Sequence, residues 1–424
     1  MNILVYRILV YVLLPIITVL LVFKSFRNSA YWHHWQERFG FPRLSHSSYC
    51  LLIHAVSVGE VRAIIPLVKR LSNSKERILL TVTTPTGREA AESLLSAMNS
   101  ENAESKIDIC YLPYDVGFCI KKFLNKVNPK QLVVVETEVW PNLISLAKQS
   151  KIPVIYINVR LSERSLQRYL KLKSFSKKIF QQVNLFAAQG DTDAKRLENL
   201  GVSRDKIVVT GSLKFDINMP ASLKESAQAL RSLLARNRTV WICGSTRDGE
   251  EEQLLHAYKK LKQQFHDLLL VIVPRHPERF EQVARLCESR NLNLVRRTSN
   301  PTKVLDSVDV YLGNTMGELS VLYAASDIAF VGGSLVPFGG QNILEPCALG
   351  IPVVYGPHMF NFEEISMLVE KANAGSCVEN LENLQQKISE LIKSPDLRDQ
   401  MGRAGMSLIE QHKGALDKVE RLLS

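Results

Sequence analysis

From Leu51 onward, short apolar runs alternate with amphipathic stretches. "LLIHAV" (51–56), "ILLTVTT" (78–84), "IDICYLP" (107–113), "LVVVETE" (132–138), "VIYIN" (154–158), "LFAAQ" (185–189) and "IVVTG" (207–211) read as strands. Segments such as "PTGREAAESLLSAM" and "DTDAKRLENLG" between them read as helices. Strands alternating with helices of this length predict a doubly wound parallel sheet. The rhythm stops at 216–238, "DINMPASLKESAQALRSLLARNR", which has no strand signal and reads as a linker with one short helix. It restarts with "TVWICGST" (239–246), "LLLVIVPR" (268–275), "LNLVRR" (292–297), "DVYLGN" (309–314), "IAFVGGS" (328–334) and "PVVYGP" (352–357). The chain is therefore α/β with two Rossmann-like domains, 25–217 and 239–424, and a linker over 218–238. The last helix is free to pack back on the first domain. Two such halves face a cleft, and ligands bind beyond the carboxyl ends of the strands.

Ahead of this alternation stands "ILVYVLLPIITVLLVF" (8–23), sixteen residues without a charge. As a helix they cover about 24 Å, short of the roughly 30 Å hydrocarbon core. Counting from Leu4, with Arg7 snorkelling to the interface, about twenty residues are available. No small-residue cleavage site follows, so residues 1–24 are expected to be a single-pass membrane anchor. Lys24, Arg27 and Arg38 follow the run against Arg7 before it. The positive-inside bias then places the globular part in the cytoplasm.

Composition narrows the partners. The 424 residues are 46% hydrophobic and 22% charged, with a net charge of +11, which implies nucleic acid, anionic lipid or a phosphorylated substrate. The seven cysteines form no C-x-x-C pair, which argues for a reducing compartment and against a disulfide framework or zinc site. "RLSERSLQRYLKLKSFSKK" (160–178) puts Arg164, Arg168 and Lys171 on one helical face and Leu166, Tyr169 and Leu170 on another. Beside an anchor, such a face suits an anionic lipid surface; alone, it is a solvated helix.

The chemistry should sit just after each strand. In the first half these positions carry His54, Ser57, Gly59 and Glu60, then residues 83–88, "TTPTGR". Glu136 and Glu138 follow in "ETEVWPN", and Lys214 and Asp216 in "GSLKFD". A lone strand-end acid is usually a helix cap, and Glu60 in a first turn would complement the helix dipole. Glu60, Glu136 and Lys214 at separate strand ends favour a site. The second half reads as nucleotide-binding. "GSTRDGEEE" is a strand, a turn and an acidic first helical turn. Arg275 and His276 end a strand with donors suited to phosphate or a base. Gly317 and Glu318 open a helix, with Glu318 placed for ribose hydroxyls. "GGSLVPFGGQNILEP" has four glycines before a helix, whose free N–H groups would hold an anion, with Glu345 in its opening turn. The chain has no G-x-G-x-x-G, P-loop lysine motif or D-x-D pair, which counts against NAD, ATP and a metal-bound sugar nucleotide.

"HAVSVGE", "ETEVWPN", "NVRLSERS", "GSLKFD", "VPRHPER", "MGEL" and "GGSLVPFGGQNILEP" occur in one order along nearly the whole chain. In these the sequence resembles the 3-deoxy-D-manno-octulosonic acid (Kdo) transferases of lipid A assembly. The resemblance implies a GT-B glycosyltransferase fold, CMP-Kdo as donor, a lipid A precursor (lipid IVA) as acceptor, inversion of configuration, no metal and no nucleic acid. It makes Glu60 the general base, and Glu136 and Lys214 stabilisers of the transition state. Arg275, His276, Met316, Gly317, Glu318, Asn342, Ile343, Leu344 and Glu345 become the CMP-binding residues. Gln341 stands where many members of that family have histidine. Two alternatives stay open: another envelope GT-B enzyme using a UDP-sugar, and a membrane-tethered nucleotide- or lipid-binding module without catalysis.

Overall fold

The computed structural model describes residues 2–73, 77–99, 106–217, 219–234 and 237–423. It divides into two compact units, residues 1–216 with 413–424, and residues 217–412.

The chain opens with α1 (Ile3–Arg27), apolar on every side, whose stretch Ile3–Phe26 is long and apolar enough to cross a membrane. The first unit's strands are β1 (Tyr49–His54), β2 (Ile78–Val82), β3 (Ile107–Tyr111), β4 (Pro129–Val135), β5 (Val154–Val159), β6 (Leu185–Ala188) and β7 (Ile207–Val209). They form one parallel sheet in the order β3-β2-β1-β4-β5-β6-β7. The crossovers are α2 (Val58–Asn73), α3 (Pro85–Asn99), α4 (Gly117–Val127), α5 (Pro141–Gln149), the pair α6 (Glu163–Lys171) and α7 (Lys173–Phe180), and α8 (Asp191–Asn199). Leu51 and Ile53 enter the core on one face of the sheet while Leu52 enters the other, the period of two that a strand covered on both sides demands. The strand order reverses between β1 and β4, so the crevice of this sheet opens at the carboxyl ends of those two strands.

The second unit begins with α9 (Leu223–Leu234), inside the segment read as a linker. Leu223, Ala227, Leu230 and Leu234 are buried, and Arg231 pairs with Asp327 at 2.9 Å, so α9 is a packed helix of this unit. Residues 218, 235 and 236 of that segment lie outside the described residues. Its strands are β8 (Val240–Thr246), β9 (Leu269–Pro274), β10 (Leu294–Arg296), β11 (Val310–Leu312), β12 (Ile328–Val331), β13 (Val353–Tyr355) and β14 (Gly375–Cys377). All pair in parallel, in the order β10-β11-β9-β8-β12-β13-β14, with the reversal between β8 and β12. Helices α10 (Glu250–Lys262), α11 (Phe280–Ser289), α12 (Leu319–Ala324), α13 (Leu344–Ala348), α14 (Glu363–Lys371), α15 (Leu381–Lys393) and α16 (Pro395–His412) complete it.

The last helix, α17 (Ala415–Leu423), belongs to the first unit, the packing back that the 239–424 boundary left open. Asp216 caps it, accepting from the N–H groups of Gly414 and Leu416 at 2.7 Å each. Leu416, Val419 and Leu423 join the core beneath α2, and Arg70 pairs with Glu420 at 3.2 Å. The seven cysteines are all unpaired, and five of them are buried.

Candidate active site

In the first unit, the loops flanking the β1/β4 reversal carry Glu60 and Glu136. Ser57 ends the strand-to-helix turn, its Oγ accepting from the Glu60 N–H at 3.3 Å. The Glu60 carboxylate reaches back, taking the Val56 N–H on Oε2 at 2.7 Å and the Ser57 hydroxyl on Oε1 at 2.8 Å. This is a capping box, so the cap expected of a first-turn acid is present. A surface cap, however, is not buried, and Glu60 is only 6% exposed. Desolvation pushes its carboxyl up to about 7; the Val56 N–H and Ser57 hydroxyl pull it down, and the charges of Glu136 and Glu138 raise it further. A carboxylate poised near neutrality is suited to take a proton.

Glu136 sits one residue past β4 with φ of 60°, a left-handed conformation that an ordinary side chain adopts at a cost of about 1–3 kcal/mol. Its N–H is held by the Ile157 carbonyl at 2.9 Å. Asn158, at the end of β5, is also left-handed, and its Oδ1 accepts the Leu213 N–H at 3.1 Å. That bond draws the turn Leu213–Phe215 back from the sheet edge until it packs on α2 and α17, bringing the half-buried Lys214 to the helix that bears Glu60. Burial and Glu136 also raise the Glu138 carboxyl. A cavity of about 340 Å³ opens beside this loop, lined by Glu138, Thr137, Tyr6, Arg168, Tyr169 and Leu172 among others. A wider depression of about 880 Å³ lies at the other ends of β1 and β4, by Tyr49 and Lys130, and none of the candidate residues lines it.

Two strand-end residues serve structure. His54 is fully buried, edge-on to Trp140 with ring centres 5.5 Å apart, and desolvation pushes it down to about 4, so it is neutral. Arg88 is engaged by the buried Glu37 and by Glu92, at 2.7 Å each.

In the second unit, the loops flanking the β8/β12 reversal are 247–249 and 332–340. Arg247 in the first was not singled out from the sequence. Its guanidinium hydrogen-bonds His276 Nε2 and faces the Phe338 ring at 5.2 Å. A Cβ at Gly333 would stand 3.3 Å from Gln341 Nε2 and 3.5 Å from Arg247 Cγ, so glycine leaves these side chains room to converge. Desolvation and then the charges of Arg247, Arg275 and Arg279 influence His276, the burial and Arg247 lowering it most. Arg279 is itself neutralised by Glu251 at 3.0 Å and by Asp248. Arg247 and Arg275 thus bring positive charge beside a neutral His276, and the signal that would have found Arg247 is its place just after the central strand.

The anion site expected of "GGSLVPFGGQNILEP" differs in part. The fully buried Glu250 accepts the N–H groups of Gly333 at 2.6 Å and of Ser334 and Leu335 at 2.9 Å each, and that of Arg247 at 2.9 Å. The first half of the loop therefore binds a carboxylate of the protein's own. The helix after it, α13, has only five residues, and Asn342, one residue ahead of its N-cap, accepts the Leu344 N–H at 3.1 Å. Ile343 and Leu344 are buried, so only their backbone can face a ligand, while Glu345 is half-buried. Glu318 is clamped by Arg297 through bonds of 2.8 and 3.1 Å and accepts from Thr315, so the carboxylate read as a ribose acceptor already has partners. Met316 and Gly317 beside it are exposed. Among the described residues no three of His, Cys, Asp and Glu gather as a metal-holding group.

Two Rossmann-like parallel sheets, each with candidate side chains at its reversal point, are the GT-B fold. A Neisseria meningitidis UDP-GlcNAc 2-epimerase structure shares this fold, with a TM-score of 0.57 at 17% identity, covering 88% of this chain and 99% of its own. Residues 33–217 match the family described as 3-deoxy-D-manno-octulosonic-acid transferase (kdotransferase), and residues 247–407 match glycosyl transferases group 1. The 3-deoxy-D-manno-octulosonic acid transferase of Haemophilus influenzae is 38% identical over 417 residues, 96% of this chain and 95% of the relative. That of Bordetella pertussis is 34% identical over 368 residues, 86% and 84% of the two chains. The chain belongs to the 3-deoxy-D-manno-octulosonic acid transferase family and is a glycosyltransferase of lipopolysaccharide biosynthesis.

Proposed function

We propose that the protein transfers Kdo from CMP-Kdo to the lipid A precursor lipid IVA, inverting the anomeric carbon, at the cytoplasmic face of the inner membrane. The observation that carries the reaction is Glu60, a buried carboxylate at the reversal point whose affinity for a proton is raised to about 7. As the acceptor hydroxyl oxygen bonds to the anomeric carbon, its proton passes to a Glu60 oxygen. The bond from that carbon to the phosphate oxygen breaks, and CMP leaves with the electron pair. Glu136 offsets the positive charge developing on the sugar ring, and Lys214 the negative charge of the Kdo carboxylate or leaving phosphate. Arg275, His276 and Arg247 hold the CMP phosphate, with Met316 to Glu318 and Asn342 to Glu345 on the nucleoside. On this reading cationic side chains balance the phosphate, and the step uses no metal.

The test is product analysis with the purified full chain, CMP-Kdo and lipid IVA, with and without a chelator. Addition of Kdo to the acceptor, undiminished by chelation, is expected. Transfer from a UDP-sugar instead, or CMP binding without turnover, would overturn the assignment.

A further inference from the structure

Helix α1 is usually the kind of segment taken to span a bilayer. Its contacts here are incompatible with that. A spanning helix has its ends on opposite surfaces, separated by roughly 30 Å of hydrocarbon. Both ends of α1 are fastened to the first unit. At the amino end the Tyr6 hydroxyl donates to Asp115 Oδ2 at 2.8 Å and Arg7 Nε to Asn142 Oδ1 at 2.9 Å. Asp115 and Asn142 are buried, and Asp115 also holds the N–H groups of Asn142 and Leu143 at the start of α5, so this attachment is part of the body's own polar framework. Ile3 and Tyr6 pack on the hydrophobic core beside it.

At the carboxyl end Leu21 is buried, and Lys24 Nζ lies over the Tyr31 ring at 5.6 Å. Arg38 approaches that ring at 6.0 Å, stacks on Tyr111 at 3.8 Å and donates to the Thr83 carbonyl at 2.9 Å, fixing this end to β2 and β3. Between the ends, Val10, Leu14, Ile17 and Thr18 are half-buried, spaced by three and four residues, while Ile8, Val12, Ile16, Val19 and Leu20 are exposed. One stripe therefore faces protein along the helix, and the other is apolar and uncovered. Arg7, expected to snorkel, is instead a docking residue.

We propose that α1 lies in the plane of the membrane, its uncovered stripe sunk into the cytoplasmic leaflet, and that the amino terminus stays on the cytoplasmic side. This rests on the membrane assignment of the preceding section. The occupant is an anionic lipid leaflet because the apolar stripe continues into exposed aromatic residues with cations beside them. Tyr11 stacks on the exposed Phe118 of α4 at 6.3 Å, and the same helix carries the exposed Lys121, Lys122 and Lys126. Lys122 Nζ sits 3.4 Å over the exposed Phe41, with Trp32 and Trp35 exposed on the preceding turns. Aromatic rings and lysines in one band are what the headgroup region accepts.

The experiment places a cysteine in a short polar extension ahead of Met1 of the full chain. A membrane-impermeant maleimide is applied to spheroplasts and to inverted inner-membrane vesicles, and the amino-terminal peptide is quantified by mass so that the native thiols do not interfere. Labelling at least tenfold stronger in inverted vesicles is expected. Labelling from the spheroplast exterior, or protection on both sides until detergent is added, would overturn the in-plane placement. Kdo transfer measured in the same vesicles reports on the enzymatic assignment separately.

Discussion

Glu60 caps α2, and the hydrogen bonds of that cap also tune the carboxylate proposed as the base. If it takes the acceptor proton, only its carboxylate form is active, so kcat/KM should fall about tenfold per pH unit below about 7. Ser57 pulls the Glu60 carboxyl down and Glu138 pushes it up, so the variants have opposite signs. Ser57→Ala should move the acid limb of the pH–rate profile to higher pH, and Glu138→Gln to lower pH. Coincident limbs in the three proteins would remove Glu60 from the rate profile. Glu60→Gln should lower turnover by about 10²–10⁴ with CMP binding retained. The stability sign follows from the raised carboxyl. The folded state takes up this proton more readily, so its favourable contribution is present below the ordinary carboxylate range and lost as pH rises through about 7. A glutamine avoids that loss, and its amide can accept from Val56 and donate to Ser57. Denaturation at pH 8 should therefore find Glu60→Gln at least as stable as the parent. At the donor end, Arg247→Ala should weaken CMP binding about 10–100-fold, the worth of a charge-assisted bond to phosphate, as titration calorimetry would read.

At the scale of elements, one glycine-rich loop shows how an anion site is divided. Glu250 holds four backbone N–H groups of the β8 and β12 loops, and so fixes the reversal point of the second sheet from inside. Glu250→Gln presents an amide to donors that have no other partner. It should cost roughly 2–4 kcal/mol, seen as faster hydrogen exchange at Gly333, Ser334 and Leu335. CMP affinity should fall with it, because Arg247 is positioned by the same carboxylate. Exchange unchanged at those amides would show that the loop stands without it.

For the whole molecule, the question is whether residues 1–24 are only a tether. Their removal deletes Tyr6 and Arg7 from the buried Asp115 and Asn142, and uncovers the core beneath Ile3. The truncated protein should be less stable in detergent by roughly 1–3 kcal/mol, with loss of activity on dispersed acceptor as well as on acceptor in vesicles. A melting temperature equal to that of the full chain would mean that α1 contributes nothing to the fold. Tyr6→Phe separates the two roles, since it removes one hydrogen bond and leaves every apolar surface of α1 in place.

Read from the chain alone, the two parallel sheets, their strand-end residues and the apolar first helix were all legible. Each is a local pattern: continuous apolar runs with helical spacing between them place Glu60, Glu136 and Arg275 just past strands whatever the packing. The placement of Met316 and Gly317 before a helix followed in the same way. Burial and pairing are not local, and there the tertiary structure decided. It turned Glu60 from a surface cap into a carboxylate near neutrality, by closing water away from it. It drew Lys214 in from an edge strand through Asn158, gave Glu318 to Arg297, and filled half of the glycine loop with Glu250. It made a packed helix of the expected linker and returned α17 to the first unit through Asp216, a residue nearly 200 positions away. Hydropathy likewise set the length and character of α1, but only its bonds to Asp115 and Asn142 fixed its direction. A side chain's solvent and its charged neighbours come from segments far apart in the sequence, and no window along the chain contains them.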